Sequence, residues 1–481
     1  FQKPLPMSGK YAWLLLLITI FTSCGLHQSD HSPEPILFVR LQGVIHGTYE
    51  GPITLQVPDP LAYDEPLVLD TIELDSVGSF SISVAWSTPG KAELYFTEQY
   101  VPLYLMPGDT LHITYDLEAD DAVFTGRGAA ANTYLQDTER LKGEFALNPD
   151  LPPEAFLPRL DSLTAARQEL LEALRPAVAA EHADHPFLPI AEVEIKASRI
   201  DELQQYPWIH QYVTNSKNAP VLPAGIQEEI RSFPLSNETW FESTAFQYMV
   251  NRRLSDMIRD TLKKEKSVYD QRHYRFADSL LTGRMRELQL AQVVQEALTY
   301  GSGLETGGIL LERFTTSDPS SRYLPYLQGM YERAAKVAVG RSAPRFTAVD
   351  LQGNIVKSED LQGNLVYLDI WASWCMPCRK AMPDLVQLAK DMKGKPVQVV
   401  MLSVDDDEAS WRKLAEQNPG PRHLFIQGGL SNQFSKDYNL SGVPKYYLLD
   451  REGTILQNNG PYPSKAKEAL EELLAKSKGS I

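Results

Sequence analysis

From residue 36 to 125, apolar and polar residues alternate in short runs (36–41, 53–57, 67–72, 79–84, 92–96 and 111–115) separated by Gly, Pro and Asp. Alternation with a period of two puts one face of each run toward a core and the other toward water. The pattern therefore predicts strands, and turn signals such as Pro107-Gly108-Asp109 predict a small antiparallel sandwich or barrel. Between 126 and 335 the period changes. Segments 154–174, 242–264 and 284–298 repeat Leu, Ile and aromatic residues at helical spacing with charge opposite, which predicts several helices joined by Pro- and Asn-containing loops. From 341 to 481 the two patterns take turns. Strands are predicted at 365–372, 397–404 and 423–427, and helices at 378–392, 407–417 and 431–438. A hairpin pair at 445–450 and 454–458 and a final helix at 464–476 complete the series. That order predicts a mixed sheet with helices on both faces. The expected fold is multidomain: an all-β N-terminal sandwich (36–125), an α-helical middle segment (126–335) and a C-terminal α/β domain (341–481).

The first 35 residues fit none of these patterns. Lys3 and Lys10 precede an apolar run from Tyr11 to Phe21, which ends in Thr22-Ser23-Cys24-Gly25. A basic flank, a short apolar core and a small-residue junction are the parts of a secretory signal. Eleven residues of helix reach ~16 Å, about half of a ~30 Å hydrocarbon core, so the run is too short to span a membrane. Met7 is the expected start of translation. The junction resembles the lipobox of bacterial lipoproteins, with Phe21 where Leu is usual. The resemblance implies a signal peptide over 1–24, lipidation of Cys24 and a polar tether over 25–35. It also implies membrane attachment through the acyl chains, and Gly25 in place of Asp leans toward the outer membrane.

Charge adds a boundary and removes a function class. The 481 residues carry 46 basic and 62 acidic side chains, a net charge of −16. Residues 341–481 hold 18 basic and 17 acidic groups, whereas 1–340 hold 28 and 45, which marks a domain boundary near 340. Such a balance argues against a nucleic-acid binder, which needs a basic face. Several suggestive clusters have plainer readings. Gly126-Arg127-Gly128 lacks the Lys-Ser/Thr of a phosphate loop and reads as a turn into a helix. His182 and His185 lack a third ligand at suitable spacing and read as loop residues. Arg252-Arg253 and Lys263-Lys264 read as a solvated face.

The three cysteines are Cys24, Cys375 and Cys378, too few for a disulfide framework. Trp374-Cys375-Met376-Pro377-Cys378 lies where a predicted strand passes into a predicted helix. Two thiols at this spacing can close a small disulfide and reopen it. The helix N-terminus offers free N–H groups and a positive dipole end that favour a thiolate on Cys375. Half a zinc site has the same spacing, but zinc needs two further ligands and the other cysteine belongs to the export signal, so no metal is expected.

The run Leu365-Val-Tyr-Leu-Asp-Ile-Trp-Ala-Ser-Trp-Cys-Met-Pro-Cys-Arg resembles the active-site strand and helix of the thioredoxin superfamily. Asp369 stands where that family holds a buried acid, and Pro383 where it has a helix-kinking proline. Gly442-Val443-Pro444 stands where it has a cis-proline loop. Ala343-Pro344-Arg345-Phe346, the Asp350-Leu-Gln-Gly hairpin and Ser403-Val404-Asp405 resemble the exported TlpA/ResA-like branch, over about 140 residues. The whole chain is similar to envelope thioredoxin-like lipoproteins whose N-terminal half has no assigned activity.

The resemblance implies a C-terminal thioredoxin fold and a cell-envelope disulfide reductase. Cys375, expected at an exposed helix start, attacks the client disulfide and Cys378 resolves the mixed disulfide. Asp369, flanked by apolar Leu368 and Ile370, takes the Cys378 proton. Trp374, Met376, Pro377, Val443 and Pro444 shape the substrate surface, with Val443-Pro444 expected to be cis and Trp371 expected to be core packing. The dithiol serves without a further cofactor. The implied partners are disulfide-containing envelope proteins and a membrane thiol donor of the DsbD or CcdA type. Lys445 departs from the usual Thr after the cis-proline, and either lies near the dithiol, where it would favour a thiolate or steer acidic partners, or points into solvent. Two alternatives accompany this reading. A thioredoxin-fold peroxidase would need Thr where Ala372 stands. In an adaptor lipoprotein, 36–335 would bind the partner and the dithiol would be secondary.

Overall fold

The computed structural model describes residues 37–478 except 50, 62–66, 97–98, 146, 182–184, 260–265, 300–302 and 441. The signal with Cys24, the tether, His182 and Lys263-Lys264 lie outside the described residues.

The N-terminal strands are β1 (Phe38–His46), β2 (Ile53–Val57), β3 (Leu67–Ile72), β4 (Ser79–Ala85), β5 (Gly90–Tyr95), β6 (Tyr100–Leu105), β7 (Thr110–Asp116) and β8 (Asp121–Arg127). They form two four-stranded sheets, β4-β1-β7-β8 and β3-β2-β5-β6. All described pairings within them are antiparallel except β1 with β7. Inward residues of both sheets, among them Leu41, Leu55, Leu94, Leu103 and Ile113, make one core. Two of these strands go beyond the runs read from the sequence. In β6, Tyr-Val-Pro-Leu-Tyr-Leu is apolar almost throughout, which hides a period of two; its Pro102 is tolerated because β6 is a sheet edge. In β8, only Ala122 and Phe124 are buried, and the exposed apolar Val123 between them blurs the alternation. Between β6 and β7, the Asp109 N–H donates to the Met106 carbonyl at 3.0 Å, and Gly108 supplies the positive φ of 85° that this turn requires.

The middle segment contains α1 (Ala129–Glu144), α2 (Pro153–Glu181), α3 (Phe187–Thr214), α4 (Ala224–Ser232), α5 (Thr244–Met257), α6 (Lys266–Leu280), α7 (Gly283–Thr299), α8 (Leu304–Ser317) and α9 (Leu324–Lys336). Phe156 stacks on Tyr206 with ring centroids 4.0 Å apart, and Phe246, Leu288, Val294 and Phe314 join them in the main helical core. The expected solvated face at Arg252-Arg253 is incorrect. Arg253 is buried, and its guanidinium donates to the carbonyls of Ile230, Arg231 and Phe233, closing the C-terminal end of α4. Arg252 pairs with Asp201 at 2.7 Å. His185 is buried ahead of α3 beside Tyr104 and Phe187. The strand and helical parts are joined: Leu61 is buried in the helical core, and Gln295 of α7 donates to its carbonyl at 2.6 Å.

The C-terminal part runs β9 (Thr347–Asp350), β10 (Ile355–Lys357), β11 (Leu365–Trp371), α10 (Met376–Asp391), β12 (Val397–Ser403), α11 (Glu408–Gln417), β13 (Arg422–Phe425), α12 (Gln433–Asp437), β14 (Lys445–Leu449), β15 (Ile455–Gln457) and α13 (Pro463–Lys478). Its sheet has the order β10-β9-β13-β12-β11-β14-β15, with β11, β12 and β13 parallel and the outer strands antiparallel. Every residue of β11 is buried, as expected for a central strand covered on both faces. Val366, Leu368 and Ile370 face a core shared with Phe434 and Tyr438 around α12. Tyr367 and Trp371 face the opposite core, built with α10, α11 and α13. Val337, just past α9, is buried in the first of these cores and ties the helical part to the C-terminal one.

Candidate functional site: a dithiol at the start of α10

β11 delivers the chain to one end of the sheet, where Ala372, Ser373 and Trp374 lead into α10. Cys375 is the N-cap of this helix, and its Sγ accepts the Cys378 N–H at 3.2 Å, so sulfur occupies the place usually taken by a Ser or Asp oxygen. Pro377 falls in the first turn, where its missing N–H costs nothing. Cys375 and Cys378 are joined in a disulfide. The helix start is exposed, but not at the sulfurs: Cys375 is 4% and Cys378 2% exposed, so exposure does not distinguish the two thiols. What separates the two is electrostatic, since the Cys375 sulfur faces the free N–H groups of the first helical turn, where negative charge is favoured. The exposed groups are the neighbours, Trp374 and Met376, each 57% exposed, together with Pro377.

A side chain outside the expected set holds the approach to the cysteines. The carboxylate of Asp405 is buried and accepts the Ser373 N–H at 2.9 and 3.0 Å, the Ser373 hydroxyl at 2.7 Å and the Ser403 hydroxyl at 2.7 Å. Asp405 stands two residues before the N-cap of α11 and does not cap it. Asp407 does that work instead, accepting from the N–H groups of Ala409 and Ser410. The Ser403-x-Asp405 spacing was visible, but its partner lies 32 residues upstream. Only the parallel pairing of β11 with β12, which sets Trp371 against Ser403, brings the two together.

Asp369 sits in the middle of β11, fully buried, and neither carboxyl oxygen has a hydrogen-bond partner among the described residues. Burial alone pushes its pKa up to about 8. Strand alternation puts it on the same sheet face as Tyr367 and Trp371, the face covered by α10 and both cysteines. Leu368 and Ile370, its neighbours in sequence, point to the other face, so they are not what makes its surroundings apolar.

The Val443-Pro444 bond is cis, and Val443 packs against both cores of the domain. Trp371 is buried core packing. Lys445 does not stand on the dithiol side of the sheet. In β14, Tyr446 and Leu448 face the dithiol side, so Lys445 and Tyr447 face away from it. The Lys445 ammonium donates to Asn459 Oδ1 at 2.6 Å and lies 5.8 Å from the Tyr447 ring centroid, at the edge of a cleft shared with the helical part.

A redox-active pair capping a helix, a cis-proline loop and a mixed sheet around a buried acid define a thioredoxin-fold protein of disulfide exchange. Residues 339–458 match the AhpC/TSA family. The thiol-disulfide oxidoreductase ResA of Bacillus cereus is 30% identical over 149 residues, which cover 31% of this chain and 84% of that protein. ResA of Geobacillus kaustophilus is 31% identical over 135 residues, covering 28% and 76%. The solved thioredoxin domain of a Bacteroides vulgatus thiol-disulfide oxidoreductase is 28% identical, covering 28% of this chain and 98% of that domain with a TM-score of 0.27. The chain belongs to the ResA-like thiol-disulfide oxidoreductases of the thioredoxin superfamily.

Proposed function

We propose that this chain is a cell-envelope thiol–disulfide oxidoreductase that reduces protein disulfides with the Cys375/Cys378 pair. The observation that carries the reading is the closed disulfide capping α10, set between exposed Trp374 and Met376 on the same sheet face as an uncompensated Asp369. In the reduced chain, the Cys375 thiolate attacks one sulfur of a client disulfide. A Cys375–client bond forms, and the other client sulfur leaves as a thiolate. Cys378 then attacks the Cys375 sulfur, the client's second sulfur leaves, and the internal disulfide closes with two electrons passed to the client. The Cys378 proton goes to Asp369. A carboxyl with a pKa of about 8 lies close to the ~8.5 of an ordinary thiol, so the transfer is nearly balanced.

Trp374, Met376 and Pro377 offer the client an exposed apolar rim, and the backbone of Val443 pairs with an extended client segment beside Pro444. The dithiol carries the electrons without a further cofactor, and a membrane thiol donor of the DsbD or CcdA type restores it. Lipidation at Cys24 and the 25–35 tether place the chain in the periplasm-facing envelope, at the outer membrane. Residues 36–125, as a β-sandwich-like domain, and 126–335, as a helical domain, hold the dithiol away from the membrane and help select clients. A peroxidase reading has less support, because Ala372 has no hydroxyl where those enzymes need Thr.

Trapping tests the order of attack. A Cys378→Ser chain accumulates mixed disulfides through Cys375; if trapping required Cys375→Ser instead, the roles would be reversed.

A further inference from the structure

A cleft of about 850 Å³ opens where the three parts of the chain meet. Gln56 and Tyr95 reach it from the strand part, the ends of α7 and α9 form one wall, and α12 with β14 forms the other. Three lining side chains are cations: Arg333 on α9, Lys436 on α12 and Lys445 at the head of β14. None of the described lining residues is acidic, although the chain carries 62 acidic and 46 basic residues.

None of these three cations makes an ion pair among the described residues. Elsewhere in the helical part, half-buried Arg199 is paired with Asp161 and Glu229 and Arg286 with Asp278 and Asp318, while buried Arg253 is held by three carbonyls. Two acids that neighbour lining residues in the chain are already engaged. Asp437 faces Lys336 at 3.9 Å, and Glu93 accepts from Gln56 at 3.2 Å. Lys445 is the most telling of the three. Half-buried, it has neutral partners alone among the described residues, Asn459 and Tyr447, and burial lowers its pKa. A cation held this way lacks the counter-charge that would offset its desolvation. Asn439 and Asn458 add neutral polar groups, and Leu298, Met330 and Leu440 add apolar wall. The space suits several residues of extended chain better than a single ion. It also begins at Gly442, directly beside the cis Val443-Pro444 bond, where a strand paired with Val443 would leave the dithiol.

We propose that this cleft receives an acidic segment of the client polypeptide, adjacent in sequence to the disulfide being reduced. The proposal rests on the reading of Cys375 and Cys378 as a client-reducing pair.

The test uses the full chain and two peptides with the same disulfide, one carrying an Asp/Glu tail and the other a Ser/Gln tail. A third, cysteine-free acidic peptide reports binding alone. At low salt the acidic-tailed disulfide should be reduced at least about fivefold faster than its neutral twin, and the advantage should fade as salt rises. The cysteine-free acidic peptide should bind the wild-type chain and bind an Arg333→Gln/Lys436→Gln variant at least about fivefold more weakly. The charge-conserving Arg333→Lys/Lys436→Arg variant should bind as wild type does, which separates charge from packing. Equal rates for the two disulfides, or acidic-peptide binding that survives the double Gln variant, would overturn the proposal. So would displacement of the bound peptide by equimolar inorganic phosphate, since the site would then be one for small anions. If the wild-type chain reduced neither disulfide, the client-reducing reading would fall, while the cysteine-free peptide would still decide the cleft.

Discussion

Asp369 and Asp405 are buried carboxylates on neighbouring stretches of one sheet, in opposite circumstances. Asp405 collects one N–H and two hydroxyls, whereas Asp369 collects no donor among the described residues. The difference assigns them different work, one fixing the Ser373 backbone before the cysteines and the other holding a proton near them. For Asp369 the sign of the pH dependence follows. The unfolded carboxyl ionises near its ordinary 3.8 while the folded one keeps its proton to about 8. Across that window the folded state binds more protons, so this residue makes stability fall as pH rises. Asp369→Asn is neutral at every pH. Its melting temperature should gain on wild type from about pH 4 to about pH 8 and level off above, and a pH-independent difference would contradict the buried, unpaired assignment. Ionisation of Asp369 should also appear in the resolving step, whose rate should rise through about pH 8 in wild type; in Asp369→Asn, where Cys378 loses its proton without that acceptor, the rise should move to higher pH. Asp405→Ala strands the buried Ser403 hydroxyl and two part-buried donors of Ser373, and should cost about 1–3 kcal/mol in denaturant unfolding of the C-terminal part. A loss below about 0.5 kcal/mol would mean that the Ser373 contact does not hold the loop.

At the scale of elements, legibility followed periodicity. β11, β12, α10 and α13 could be read because long apolar runs and helical stripes announce themselves, and the C-x-x-C lay at the junction between two of them. β6 and β8 were not legible, the first because burial on most positions erases alternation and the second because an edge strand buries too few side chains to display it. The same limit applies within the site. Cys375, Cys378, Val443 and Pro444 stand in local motifs, whereas the bond from Ser373 to Asp405 depends on β11 pairing with β12. The side of the sheet that Lys445 faces depends on the register of β14. Arg253 shows the limit for charges: one residue in a basic pair on an amphipathic helix is indistinguishable in sequence from a solvated one, yet it closes the end of α4. Arg253→Ala should therefore lower stability by about 1–3 kcal/mol in chemical denaturation, whereas an exposed arginine would change it by less than about 0.5 kcal/mol.

The whole molecule joins three parts through specific contacts. Leu61 is buried in the helical core, and Val337 crosses from the helical part into the C-terminal core. The charge boundary near 340 therefore falls a few residues after the packing boundary. A C-terminal fragment beginning at 341 should unfold at lower denaturant than one beginning at 335, by about 1–3 kcal/mol, because it loses Val337 from a closed core. Equal stability would mean that Val337 belongs to the helical part alone. The central claim is that electrons leave through Cys375 and Cys378 toward client disulfides, and one measurement addresses it most directly. The reduced full chain is mixed with a disulfide-bonded peptide in the absence of other thiols, and peptide thiols and the two protein thiols are counted by alkylation and mass spectrometry. The account predicts that two peptide thiols appear for each Cys375–Cys378 disulfide that forms, and that Cys375→Ser releases none. Peptide reduction that persists in Cys375→Ser, or an oxidised chain that instead closes the disulfide of the reduced peptide, would contradict it.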